Sequence, residues 1–258
     1  MTPSTSPRVR ACRLVAVGVL AGASAPGCSG GTDVGNPVDL GVTGYRTTSA
    51  AAPRANGLVE IDAAWVVLSR LDFQPEGTCG LEESDVEVPV QVAVDLLAPV
   101  VPAPLQGLPI GGMRFCRMRL RWDAPDAAPA GAPPDVAGAA IHLAGSRADG
   151  TRFVIRSERG DRLELRARAG TFAIDEGARR LFLGVDLMAW LSGVDLDAAV
   201  VGGDGVIRVE PGSNDGLLDV VEDNIDDGAK LYLDGDDDGS LDDGEREDAD
   251  ALADGVSL

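Results

Sequence analysis

Apolar and polar side chains alternate with period two through the middle of the chain. Val59, Ile61, Ala63, Trp65 and Val67 occupy every second position, and so do Val88, Val90, Val92 and Val94. The pattern returns at Cys116, Met118, Leu120 and Trp122, at Leu163, Leu165 and Ala167, and at Leu181, Leu183 and Val185. Successive side chains of a strand point to opposite faces, so these runs predict half-buried strands separated by Gly/Pro/Asp turns. Asp149-Gly150, between apolar runs at 141–143 and 153–155, predicts a hairpin turn, and residues 123–138 read as a long loop. The expected fold class is mainly β, an antiparallel β-sandwich over residues 58–203.

After residue 204 the period changes. Leu217, Leu218, Val221 and Ile225 recur at helical spacing, with Ser213 or Asn214 placed to cap a helix and Gly228 to weaken its end. Read in another register, 211–222 is a degenerate calcium loop: Ser213, Asp215, Gly216, Asp219 and Glu222 hold loop positions, but Pro211 stands where the first ligand belongs. The continuous apolar spacing favours the helix. Residues 204–258 are thus expected to form a small helix plus a calcium-loop appendage to the sandwich.

The loop is residues 234–245, Asp-Gly-Asp-Asp-Asp-Gly-Ser-Leu-Asp-Asp-Gly-Glu. Asp234, Asp236 and Asp238 alternate at its start, Gly239 follows where the backbone must turn sharply, and Ser240 offers its carbonyl. Asp242 and a closing Glu245 complete the set, with Leu241 as the one apolar residue. Every ligand position resembles that of an EF-hand loop, and the resemblance implies calcium as the bound ion. Arg246 departs from the pattern, since EF-hands place an apolar residue after the closing Glu, and the exit segment is short and charged. An acidic run that is only a solvated tail needs neither the Gly nor the Glu at these spacings.

Charge and export signals narrow the class further. From Asp204 onward there are 19 acidic and three basic residues, within a chain of net charge −20. Nucleic acid is a poor partner for such a chain. Residues 1–27 read as a signal peptide, with Arg8, Arg10 and Arg13 ahead of a short apolar stretch. Ala25-Pro26-Gly27-Cys28 resembles a bacterial lipoprotein box, which implies acylation of Cys28 and attachment to a membrane through the lipid. Ser29, in place of Asp, implies sorting to the outer membrane of a Gram-negative cell. Residues 28–57, rich in Gly, Ser, Thr and Ala, read as a flexible tether. With Cys12 removed and Cys28 acylated, Cys79 and Cys116 remain to form a disulfide in an oxidising compartment.

A second resemblance lies in Val-Glu-Ile-Asp-Ala-Ala-Trp-Val-Val-Leu-Ser-Arg-Leu-Asp-Phe at 59–73, Val-Asp-Leu-Leu at 94–97 and Leu-Pro-Ile-Gly-Gly-Met-Arg-Phe-Cys-Arg-Met-Arg-Leu at 108–120. These runs resemble a family of uncharacterised exported bacterial domains with a prealbumin-like β-sandwich. The resemblance covers about 59–186 in pattern and implies a fold, not an activity.

Catalytic chemistry is thin. No Gly-x-Ser-x-Gly occurs beyond residue 31, no phosphate loop or dinucleotide fingerprint occurs, and His142 is the only histidine. In a strand it would face away from Ile141 and Leu143, as an exposed or hydrogen-bonded side chain. Arg117, Arg119 and Arg121 form one stripe, and Arg162, Arg166 and Arg168 with Glu164 another; charge-paired surface is the ordinary reading, an anionic saccharide face the functional one. The expectation is a lipid-anchored envelope protein that binds calcium in a non-enzymatic binding or structural role, with a polysaccharide or envelope protein as partner. The alternative is a glycan-acting enzyme, which needs paired carboxylates flanking a cleft.

Overall fold

The described residues form thirteen strands: β1 (Asn36–Tyr45), β2 (Val59–Pro75), β3 (Val86–Asp95), β4 (Leu108–Gly111), β5 (Met113–Trp122), β6 (Ile141–Arg147) and β7 (Arg152–Ser157), then β8 (Arg162–Ala167), β9 (Phe172–Ile174), β10 (Arg180–Asp186), β11 (Val206–Val209), β12 (Ala229–Leu233) and β13 (Ala253–Val256). Among the described residues two short α-helices join them, α1 (Leu187–Trp190) and α2 (Asp215–Asn224). The computed structural model describes residues 35–46, 59–81, 86–98, 100–160, 162–247 and 250–256. The signal peptide and Cys28 lie outside these residues. No helix among the described residues is long and apolar enough to cross a membrane.

The long strand β2 organises the sheet. Trp65 and Val66 have partners in both β3 and β6, while Leu71 and Phe73 have partners in both β3 and β5. Partners of one residue lie on opposite edges of its strand, so β6 and β5 follow one another along the same edge of β2. Register slips between Ile61 and Ala63 and between Leu68 and Arg70 bend the strand between them, as bulges do. The first slip also changes which face is buried. Ile61 is in the core, but beyond it Ala64, Val66 and Leu68 are fully buried while Ala63 and Trp65 are only half-buried. Simple alternation from Val59 assigns Ala63 and Trp65 to the core face, because it cannot see the extra residue.

Beyond β5 the sheet runs β8, β13, β12, β10, β1 and β4; beyond β6 it runs β7 and β11. The pairings β1–β10 and β7–β11 are parallel. At 48% strand and 12% helix the fold is mainly β, an open sheet that curls on itself. The curl brings the amide of Gly44 in β1 to the carbonyl of Leu96 just past β3, at 2.7 Å. Inside it Leu40, Leu71, Leu120, Leu165, Leu183 and Leu231 are fully buried, one from each of six strands. The hairpin at Asp149-Gly150 joins antiparallel β6 and β7, with Gly150 at φ +84°.

Two segments differ from expectation. Residues 36–45, within the expected tether, form β1, whose Val38, Leu40 and Val42 are buried against the core. Gly41 there meets the Phe182 ring, and a Cβ would approach it to 2.5 Å, so the glycine that suggests a linker is a packing residue. Residues 204–258 are no appendage either. Their strands β11, β12 and β13 lie in the one sheet, and Leu218 and Val221 of α2 are buried in the common core. Cys79 and Cys116 stand at disulfide distance, with Cα atoms 5.8 Å apart.

Candidate metal centre

Strand β12 delivers the acidic loop to a fixed place. It pairs antiparallel with β10, Leu233 opposite Leu181, and the Asp234 amide extends the ladder by donating to the Arg180 carbonyl at 3.2 Å. The Asp234 side chain is completely buried. Its Oδ2 accepts from the Gly239 amide at 3.1 Å and from Arg180 Nη1 at 3.3 Å. Its Oδ1 has no hydrogen-bond partner. A buried carboxylate oxygen without a donor is costly, so the site as folded is short of one positive or donating group at that point.

The turn that follows is set by local chemistry. Gly239 sits at φ +87°, a conformation that favours glycine, and the Arg180 guanidinium lies close against it. Asp236 Oδ1 accepts from the Asp238 amide at 3.1 Å. Asp238 Oδ1 accepts from the hydroxyl and amide of Ser240, at 2.6 and 2.7 Å, and these bonds, the hydroxyl first, hold its carboxyl below the usual carboxylate range.

The closing half forms a reciprocal cap. Asp242 Oδ1 accepts from the Glu245 amide at 3.0 Å, while Glu245 Oε2 accepts from the Asp242 amide at 3.3 Å. The cap starts one helical turn, with the Arg246 amide donating to the Asp242 carbonyl at 3.1 Å. Glu245 Oε1 reaches back across the loop to the Gly235 amide at 2.6 Å. Leu241 anchors the loop by packing on a small cluster of Phe182, Tyr232 and Ala251 on the outer face of the sheet.

Together these bonds bring a carboxylate oxygen from each of Asp234, Asp236 and Glu245 within 4.8 Å of one another. Asp238, Ser240 and Asp242 are in the same loop but outside that trio, their polar atoms engaged with loop neighbours. Three hard oxygen ligands at this separation can hold one divalent cation of the hard class, and nothing in the trio distinguishes calcium from another such ion.

The environment also contains groups the loop sequence does not announce. Arg180 is brought by the β10–β12 register, and no local motif marks it. Arg246, where an EF-hand would be apolar, sets its guanidinium 5.1 Å from the centre of the Tyr45 ring, so a cation–π contact stands in for apolar packing. Burial, and then the hydrogen bond with Tyr232, push the Tyr45 phenol upward. The flanks are strand on both sides, β12 entering and β13 leaving, and these strands pair with each other. The arrangement is strand–loop–strand, not helix–loop–helix.

Other residues raised by the sequence fall elsewhere. His142 is neither exposed nor fully hydrogen-bonded: it is buried and its Nδ1 has no partner. Burial lowers its pKa, and Arg156 adds to that against the pull of Asp135. A cavity of about 200 Å³ between β1, the segment after β3 and the loop is lined by Thr43, Leu97, Val101, Phe182 and Leu241 among others, without a carboxylate side chain among the described residues. Comparison with family models, with curated proteins and with solved structures returns no match for this chain.

Proposed function

We propose that the chain is an exported, lipid-anchored cell-envelope protein of a Gram-negative bacterium that binds calcium through Asp234–Glu245 and acts as a non-enzymatic binding or structural module. The carrying observation is the buried, unpartnered Oδ1 of Asp234 beside the carboxylates of Asp236 and Glu245. A cation there supplies the missing positive charge and lessens the mutual repulsion of the acidic side chains. Asp234, Asp236, Asp238, the Ser240 carbonyl, Asp242 and Glu245 would hold the ion. Calcium is favoured because it accepts six to eight oxygens in loose geometry, whereas magnesium demands a tight octahedron and keeps its water. Export is supported by the basic and apolar N-terminal pattern ending at Cys28 and by the cysteine pair at 79 and 116. The curled sheet is read as a prealbumin-like β-sandwich scaffold, a reading supported by β2, which changes partners along one edge in the way strands switch sheets.

Isothermal titration of the purified protein tests the metal reading. Binding at about 10⁻⁴–10⁻³ M is expected, the range of extracellular calcium modules. Magnesium should bind more weakly, and Glu245→Gln should abolish the calcium heat. No heat at millimolar calcium, or a Glu245→Gln protein that binds like wild type, would reduce the loop to a solvated acidic connection. The anchor is tested separately: cells fed an alkyne fatty acid should label the wild type but not Cys28→Ala, and equal labelling overturns it.

A further inference from the structure

Outward positions of three adjacent strands set arginines in a row. Arg70 of β2 lies opposite Arg121 of β5, and Arg121 lies opposite Arg162 of β8. Neighbouring strands are about 4.8 Å apart, so a guanidinium stem recurs at roughly that interval across the sheet. Arg70 is paired with Asp72 and Glu87. Arg121 and Arg162 are exposed, and neither side chain has an ion-pair or hydrogen-bond partner among the described residues. Like charges directly opposite destabilise a sheet, so folding gives no reason for this pair. On the next rows Arg117, Arg119 and Arg166 share a single buried carboxylate, Glu164. Among the described residues, Asp72, Glu87 and Glu164 pair with Arg70, Arg117, Arg119 and Arg166, Asp254 lies opposite Arg166 and pairs with Arg168, and Glu222 and Asp226 line a small pocket with Arg162.

We propose that this face binds a carboxylate-bearing polysaccharide, with Arg121 and Arg162 gripping its acidic groups. The inference does not rest on the metal loop. Guanidinium forks match carboxylates bidentately, and an open sheet face suits a linear polymer better than a small molecule that needs enclosure. Nucleic acid fits poorly. The neighbouring outward positions Ser69, Asp72 and Val256 offer no ring on which a base could stack.

Binding of polygalacturonate to the purified protein, measured by titration in EDTA at low salt, decides it. Wild type should bind polygalacturonate but not neutral dextran, and added salt should weaken the binding. Arg121→Ala/Arg162→Ala should bind about tenfold more weakly or not at all, as loss of two charge pairs implies. Arg152→Ala, an exposed arginine on another strand, should bind like wild type. Glu245→Gln should also bind like wild type, which separates this face from the metal loop. The double variant should melt no lower than wild type, because it removes a like-charge pair. The proposal is overturned if wild type fails to bind, if the double variant binds equally well, or if the double variant is destabilised. Tighter binding of single-stranded RNA lost in the same variant, or a wild-type dimer that this variant abolishes, would reassign the face and overturn it as well.

Discussion

Removing the Glu164 charge should cost the fold about 3 kcal/mol. The Glu164 side chain is 1% exposed, and each oxygen is engaged: Oε2 accepts from Arg119 Nε at 2.7 Å and lies 3.5 Å from Arg117 Nη1, while Oε1 accepts from Arg166 Nε at 2.6 Å. Arg117 and Arg119 are themselves only 16% and 15% exposed, so Glu164→Gln leaves two largely buried guanidiniums side by side without that counter-charge. Breaking a buried pair costs about 3–5 kcal/mol; the lower end applies because Arg166 is 59% exposed and water takes up its charge. In a domain of this size that lowers the melting temperature by about 6–12 °C. Urea unfolding of wild type, Glu164→Leu, Arg119→Leu and the double variant would give the coupling. The double variant should recover much of the loss, because an apolar pair of similar volume replaces a buried ion pair at little cost. A Glu164→Gln loss below about 1 kcal/mol, or single effects that add within about 0.5 kcal/mol, would refute the reasoning.

The same carboxylate predicts acid sensitivity. Burial pushes its pKa up, but the Arg119 and Arg166 hydrogen bonds outweigh burial and hold it below 4.5, so its contribution is present at neutral pH and lost as pH falls through the folded-state value; Glu164→Gln should flatten that part of a stability-against-pH curve. Reducing Cys79–Cys116, which closes 37 residues, should lower urea stability by about 4 kcal/mol in the chain-entropy estimate. Gly255→Ala should expel β13 and cost about 3 kcal/mol or more, since its Cβ would lie 1.8 Å from the Asp226 carbonyl, a backbone atom that cannot move aside; raised protease sensitivity of the 234–256 segment reads it. Leu241→Ala should leave the sheet folded but weaken calcium binding several-fold, because the loop loses its hold on Phe182 and Tyr232.

Strands whose apolar residues alternate cleanly, such as Met118, Leu120 and Trp122 of β5 or Leu181, Leu183 and Val185 of β10, could be placed by reading alone, because one buried face imposes period two. The strand β1 was hidden by Gly41 and Gly44, whose role is close packing and whose composition reads as linker. The four-residue β13 is too short for any period to show, and its place between β8 and β12 is a long-range fact. At the loop, the spacing of the carboxylates is local and could be read directly. The strand flanks, Arg180 under Asp234 and Tyr45 under Arg246 depend on pairing between distant segments, which no local pattern encodes.

The order in which the sheet is threaded makes its assembly wait. The first described strand, β1, pairs antiparallel with β4 on one edge and parallel with β10 on the other, with Asp39 opposite Arg180, so its second ladder waits until well over a hundred further residues have been made. The facing edges of β8 and β12 stay open longer still, because β13 fills the slot between them and comes last of the described strands. Non-local pairing of this kind closes slowly, and open edges recruit other chains while they wait. A polypeptide made N-terminus first therefore holds the facing edges of β8 and β12 unpaired until residues 253–256 arrive. Binding of an attendant chaperone in that interval would compete with aggregation, and insertion of the final strand would be the event that releases it.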